Sequence, residues 1–172
     1  MTVNSKSTIV QPGQGSTYLF WGDLYTFLAV GEDTGGAYSL TEVILQPQSI
    51  TPLHMHDQAD EAHYILDGEV EYQLDEKTIV ATPGTFLQLP KGQSHGFKNN
   101  GSKPAKMLIH ATPAGPEQFF AELGQPVHLP INEEEIRSLS QPPSPDEIEK
   151  AIELATTKYG TKVVTLTSSS GS

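Results

Sequence analysis

Residues 54–68 read His54-Met-His56-Asp-Gln-Ala-Asp-Glu61-Ala-His63-Tyr-Ile-Leu-Asp67-Gly68. In an extended strand, residues i and i+2 share a face, so His54 and His56 point the same way, as do Glu61 and His63. Asp67-Gly68 offers the positive-φ residue that a two-residue turn needs. With β-type runs on both sides, His63 to Leu66 and Glu69 to Leu74, it predicts a hairpin. Further runs lie at Tyr25 to Val30, Tyr38 to Leu45, Thr85 to Leu89 and Ala105 to His110. Gly35-Gly36, Pro83-Gly84, Pro90-Lys91-Gly92 and Asn99-Asn100-Gly101 punctuate them. Short strands at this spacing predict an all-β sandwich or barrel. No helical pattern separates them, which disfavours parallel βαβ units.

After Thr112 the pattern changes. Pro116 to Gly124 reads as a short helix with Pro near its start and Gly past its end. An acidic, Pro-rich linker follows from Gln125 to Pro143. From Ser144 to Gly160 the cap Ser144, Pro145, and Glu147 three residues after the cap open a helix. Ile148, Ala151, Ile152, Ala155 and Tyr159 form one stripe along it. Thr165 to Ser172 is polar and reads as disordered. The expected organisation is an arm (1–17), a β-barrel (18–113), a helical C-terminal extension (114–165) and a disordered tail (166–172).

Ten basic and 21 acidic side chains in 172 residues give a formal charge of −11. Nucleic acid and anionic membrane surfaces are therefore not expected partners. The absence of cysteine rules out disulfides, thiolate metal ligands and a cysteine nucleophile. Neither a signal-type apolar run nor a membrane-length apolar stretch occurs, so a cytoplasmic location is expected.

Two imidazoles on one strand, a carboxylate from a neighbouring strand and a third imidazole at His95 are a donor set for one ion. Three neutral nitrogens and one anionic oxygen suit Mn, Fe, Co, Ni, Cu or Zn, and a metal preferring five or six ligands keeps positions open. Read pairwise, the same residues are more simply ordinary polar surface positions near a loop.

The surroundings decide between these readings. His54-x-His56, four residues, Glu61, six residues and Gly68 resemble the first motif of the cupin superfamily. Gly84-Thr-Phe-Leu-Gln-Leu-Pro90-Lys-Gly92-Gln-Ser-His95-Gly-Phe-Lys-Asn99 resembles the second, position by position. One departure is Gln48, where the first motif often has Gly. The resemblance implies a cupin jelly-roll, an antiparallel β-barrel with a metal in its mouth, here followed by a C-terminal helical appendage. It implies His54, His56, Glu61 and His95 as ligands of one divalent transition metal per subunit, and turn or loop roles for Gly68, Gly84, Pro90, Gly92 and Asn99.

More narrowly, residues from about 18 to 165 resemble the single-domain quercetinase-like cupins. That resemblance implies a homodimer and a metal-dependent dioxygenase that cleaves a flavonol-like or other aromatic enol substrate with O2, releasing a phenolic ester and carbon monoxide. Glu61 would then be both ligand and the base that takes the substrate proton. A metal-bearing small-molecule binding module without turnover, and a non-redox isomerase or lyase acting on a small metabolite, are the alternatives. Only Lys91 and Lys98 lie near the motifs, and no Arg does, which argues against phosphate or carboxylate recognition.

Several other side chains have two readings. His63 either touches a ligand and orients Glu61, or is a satisfied barrel-lining histidine. Phe97 either walls a substrate pocket or packs the core. His110 is placed with them as a pocket candidate, against a plain reading as the end of a strand. Phe119, Phe120 and Leu123 either cap the barrel mouth or pack elsewhere.

Overall fold

The computed structural model describes residues 7–164; the tail from Thr165 and the first six residues of the arm lie outside the described residues. Asp67-Gly68 is a turn, but not a hairpin. β5 (Asp60–Asp67) and β6 (Val70–Leu74), on either side of it, belong to different sheets. Gly68 takes φ 75°, and a Cβ there would sit 2.9 Å from Ala105 Cα. The chain turns a corner between two layers at a point with no room for a side chain. Hairpins occur elsewhere. Trp21 and Gly22, both at positive φ, join β1 (Ser16–Phe20) to β2 (Asp23–Ala29). Asp75-Glu76 joins β6 to β7 (Lys77–Ala81).

The remaining strands are β3 (Ser39–Leu45), β4 (Ile50–His56), β8 (Phe86–Leu89), β9 (His95–Lys98), β10 (Ala105–Thr112), β11 (Gln125–Val127) and β12 (Thr161–Val163). A short helical turn, α1 (Gly31–Thr34), lies between β2 and β3. One sheet has the order β11-β1-β2-β3-β10-β5-β8 and the other β12-β4-β9-β6-β7, with antiparallel pairing throughout. This is the expected two-layer all-β jelly-roll. Between the layers, Tyr25, Phe27, Val43, Ile65, Tyr72, Leu87, Phe97 and Met107 form one buried cluster. Alternation within each strand supplies them, as period-2 patterning requires.

Among the described residues three helices follow the barrel: α2 (Glu117–Leu123), α3 (Glu133–Leu139) and α4 (Pro145–Tyr159). α4 starts where the sequence places it, with Ser144 and Glu147 capping each other's backbone N–H at 3.3 and 2.7 Å. The stretch read as a linker contains β11 and α3. Asn132 and Glu135 close a capping box there, and Ile136 packs on Leu19 and Leu24 behind the first sheet. With one buried apolar residue, α3 has too little periodicity to stand out from its Pro- and Glu-rich surroundings. The extension also contributes a strand to each sheet: β11 pairs with β1, and β12 with β4.

Candidate metal centre

β4 carries His54 and His56, and His95 opens β9 directly across from His54. Glu61 faces them from β5 in the opposite sheet. One donor atom from each of the four residues lies within 4.8 Å of all the others. His56, Glu61 and His95 are buried and His54 is half-buried.

The imidazoles are held by their outer nitrogens. His54 Nδ1 lies 2.8 Å from Pro52 O and His95 Nδ1 3.3 Å from Gln93 O. A carbonyl only accepts, so these Nδ1 atoms carry the hydrogen and Nε2 keeps its lone pair. His56 Nδ1 meets Thr161 Oγ1 at 2.9 Å. Among the described residues the Nε2 atoms of His56 and His95 are buried without a hydrogen-bond partner, although they lie 3.4 and 3.3 Å from Glu61 oxygens. Lone pairs facing carboxylate oxygens at that range repel unless a cation stands between them. The donor set therefore fits a divalent transition metal held by His54, His56, Glu61 and His95.

Protonation follows the same logic. Burial, reinforced by the charges of His95 and His56, pushes His54 down to about 3. Burial works to raise the Glu61 carboxyl, yet the surrounding imidazoles, His56 foremost, hold it well below the usual carboxylate range. Burial also opposes protonation of His56, but the adjoining Glu61 carboxylate outweighs it and raises that pKa. A proton at His56 is thus the low-charge substitute for a metal ion. His63 is fully buried; its Nε2 lies 3.3 Å from Glu61 Oε2 and its Nδ1 2.8 Å from the Tyr72 hydroxyl.

A cavity of about 370 Å³ leads to this cluster. Tyr25, Phe97, Phe119, Phe120, Ile109 and Pro52 form apolar wall, and α4 roofs it with Ile148, Ala151, Ile152 and Ala155. Phe120 stacks on Tyr25 at 3.7 Å between ring centroids. Among the described residues lining it there is no Lys or Arg; the charged groups are the carboxylates Asp23, Glu61 and Glu117.

The sequence-predicted residues divide accordingly. His54, His56, Glu61 and His95 come together, His63 touches Glu61, and Phe97 reaches the cavity. His110 does not: β10 turns Met107, Ile109 and Ala111 inward, so His110 faces outward and stacks on Tyr38 at 5.2 Å. Phe119 and Phe120 line the cavity, while Leu123 does not. Thr161, Tyr72 and Asp23 were missed. Tyr72 sits at an inward position of a readable strand, which was an available signal. Thr161 lies 105 residues from its partner and had none.

Comparison with known proteins gives a consistent result. Residues 41–111 match the family model described as "Cupin domain". The chain is 24% identical over 132 residues to quercetin 2,3-dioxygenase of Bacillus subtilis, covering 74% of this chain and 39% of the relative. It is 32% identical over 99 residues to polyketide synthase CurC of Streptomyces cyaneus, covering 56% and 62%. It thus spans less than two thirds of the length of either relative. Among solved structures, the polyketide cyclase RemF from Streptomyces resistomycificus superposes with a TM-score of 0.58 at 19% identity, covering 80% of this chain and 95% of that one.

Proposed function

Residues 41–111 are a cupin domain, and from that premise we propose that the chain is a metal-dependent dioxygenase acting on a flavonol-like or other aromatic enol substrate. One observation carries the reading: a buried, ionised carboxylate, Glu61, lies at the end of a largely apolar cavity whose lining has no Lys or Arg. Such walls accept a neutral aromatic molecule and offer nothing to a phosphate or carboxylate. The Bacillus subtilis relative supports the reaction class.

When bound by His54, His56, Glu61 and His95, a divalent transition metal supplies Lewis acidity toward an enol hydroxyl and open positions for oxygen chemistry. The chain's residues do the rest. His63 Nε2 donates to Glu61 Oε2 and so fixes the orientation of the carboxylate that would take the hydroxyl proton. Phe97 and the stacked Tyr25–Phe120 pair give aromatic wall for a flat ring system, and Ile148 and Ile152 of α4 keep water off the site.

The test is oxygen uptake and carbon monoxide release with quercetin, on protein reconstituted separately with Mn, Fe, Co, Ni, Cu and Zn beside His54→Ala. Metal-dependent uptake that disappears in the variant supports the proposal. One tightly held ion per chain with no uptake on any metal overturns it. The 32% identity to polyketide synthase CurC favours a second reading, a polyketide-type aromatic handled without oxygen. Binding of such a ligand with no oxygen consumed would select it.

A further inference from the structure

The three imidazoles of the metal centre are not anchored alike. His54 and His95 each bond the carbonyl two residues earlier in their own chain segment, Pro52 O and Gln93 O. His56 instead relies on Thr161, from β12. The Thr161 hydroxyl has Tyr159 O at 3.5 Å to receive its hydrogen, which leaves its lone pairs for the His56 Nδ1–H. Strand pairing sets the contact, because β12 runs antiparallel to β4 with Thr161 opposite His56 and Val163 opposite His54. Asp57 N bonds Gly160 O and Val164 N bonds Leu53 O, both at 2.8 Å, so backbone bonds fix the register at each end. β12 lies outside the family match, which ends at residue 111, and follows directly on α4, the roof of the cavity.

We propose that Thr161 is a positioning residue of the metal centre, and that docking of the α4–β12 unit and metal loading favour one another. The inference rests on the metal-centre reading but not on the dioxygenase. An outer hydrogen bond fixes the tautomer and ring orientation of a metal-binding histidine, and losing it typically weakens affinity by about 10–100-fold. Here that bond comes from the segment that also closes the cavity. Linkage is reciprocal: if docking of β12 orders His56 for the metal, the metal must hold β12 and α4 in place.

The test uses the full chain and Co(II), whose visible absorption reports coordination, with a competing chelator to obtain affinity. Thr161→Val keeps the shape and removes the hydroxyl, Thr161→Ser restores it, and Lys162→Ala perturbs the same strand at its exposed Asp57 pair. Amide hydrogen exchange of residues 145–163 is followed with and without Zn(II). Thr161→Val is expected to bind Co(II) about 10–100-fold more weakly with altered absorption bands, with the other two variants near wild type. Zn(II) is expected to slow exchange across α4 and β12 in the wild type and much less in Thr161→Val. Wild-type affinity and spectrum in Thr161→Val overturn the inference while leaving the metal centre standing. Equal loss in Thr161→Ser or Lys162→Ala overturns it too, since the hydroxyl would not be the cause. Failure of the wild type to take up Co(II) overturns the metal-centre reading and this inference together.

Discussion

His63 Nε2 lies 3.3 Å from Glu61 Oε2, two residues away on the same inward face of β5. A carboxylate accepts only, so Nε2 carries the hydrogen and Nδ1 receives one from the Tyr72 hydroxyl 2.8 Å away. Burial lowers the His63 pKa and raises that of Tyr72, which keeps both neutral. The line Tyr72 to His63 to Glu61 therefore runs in one direction, and its residues are buried.

Removing the middle of that line takes a donor from the buried Glu61 carboxylate and leaves the Tyr72 hydroxyl only the weakly accepting sulfur of Met107, 3.3 Å away. His63→Leu is expected to cost about 2–4 kcal/mol, because a stranded buried polar group costs about 1–3 kcal/mol and a charged one more. Tyr72→Phe alone is expected to cost about 1 kcal/mol, and less when His63 is already Leu. Urea unfolding of the wild type, both single variants and the double variant checks this. Coupling of about 0.5–3 kcal/mol is the expected result, and strict additivity contradicts the line.

A metal that binds only the folded chain must raise its stability. At a free concentration 100 times Kd the gain is about 2.7 kcal/mol, so Ni(II) or Zn(II) should raise Tm by several degrees. His95→Ala removes one of the buried imidazoles aimed at Glu61 and should abolish most of that shift. An equal metal-induced shift in His95→Ala would place the ion elsewhere.

The sequence made the site more legible than the fold around it. The i, i+2 spacing of His54 and His56 states their shared face, and the two spaced motifs bring Glu61 and His95 to them. His110 could have been dismissed by the same parity, since β10 alternates regularly and buries Met107 and Ala111. Asp67-Gly68 shows where the chain reverses, not which sheet each neighbouring strand joins; that depends on pairing with β10 and β9. The first half of β4 was hidden because Pro52 interrupts its pattern, leaving only the His54-x-His56 pair to show a strand, and β7 because its first four residues are exposed. The apolar stripe of α4 was readable, but its destination was not. A stripe shows that a partner surface exists without identifying it.

Asp23, outside the His54, His56, Glu61 and His95 cluster, provides a test of pH dependence. Burial raises its pKa from 3.8 to about 6, against the lowering effect of donors from Ser49 Oγ and Gln46 N. The folded chain thus holds this proton more tightly than the unfolded chain. Its stabilising contribution is complete below about pH 4 and is lost as pH rises through about 6. About two pH units correspond to about 3 kcal/mol. Asp23→Asn cannot titrate, yet it can still accept from Gln46 N. Its Tm relative to wild type should therefore rise between pH 4 and pH 7, and a difference that does not vary with pH would contradict the burial argument.

Ile148 and Ile152 are 38% and 40% exposed on α4, yet both line the cavity. They do little for the fold, so a change there separates ligand contact from stability. Glu is a good helix former, and Ile152→Glu should leave Tm nearly unchanged. It places a charge in an apolar roof, which should weaken binding of a neutral aromatic ligand about tenfold, equivalent to about 1.4 kcal/mol. Trp21 is the only tryptophan and lines the same cavity, so quenching of its fluorescence by a flavonol reports binding without turnover. Where turnover occurs, KM should rise with kcat nearly preserved, since Glu61 and His63 are untouched. An unchanged quenching curve would mean that the ligand sits clear of α4, with the roof serving only to keep water out.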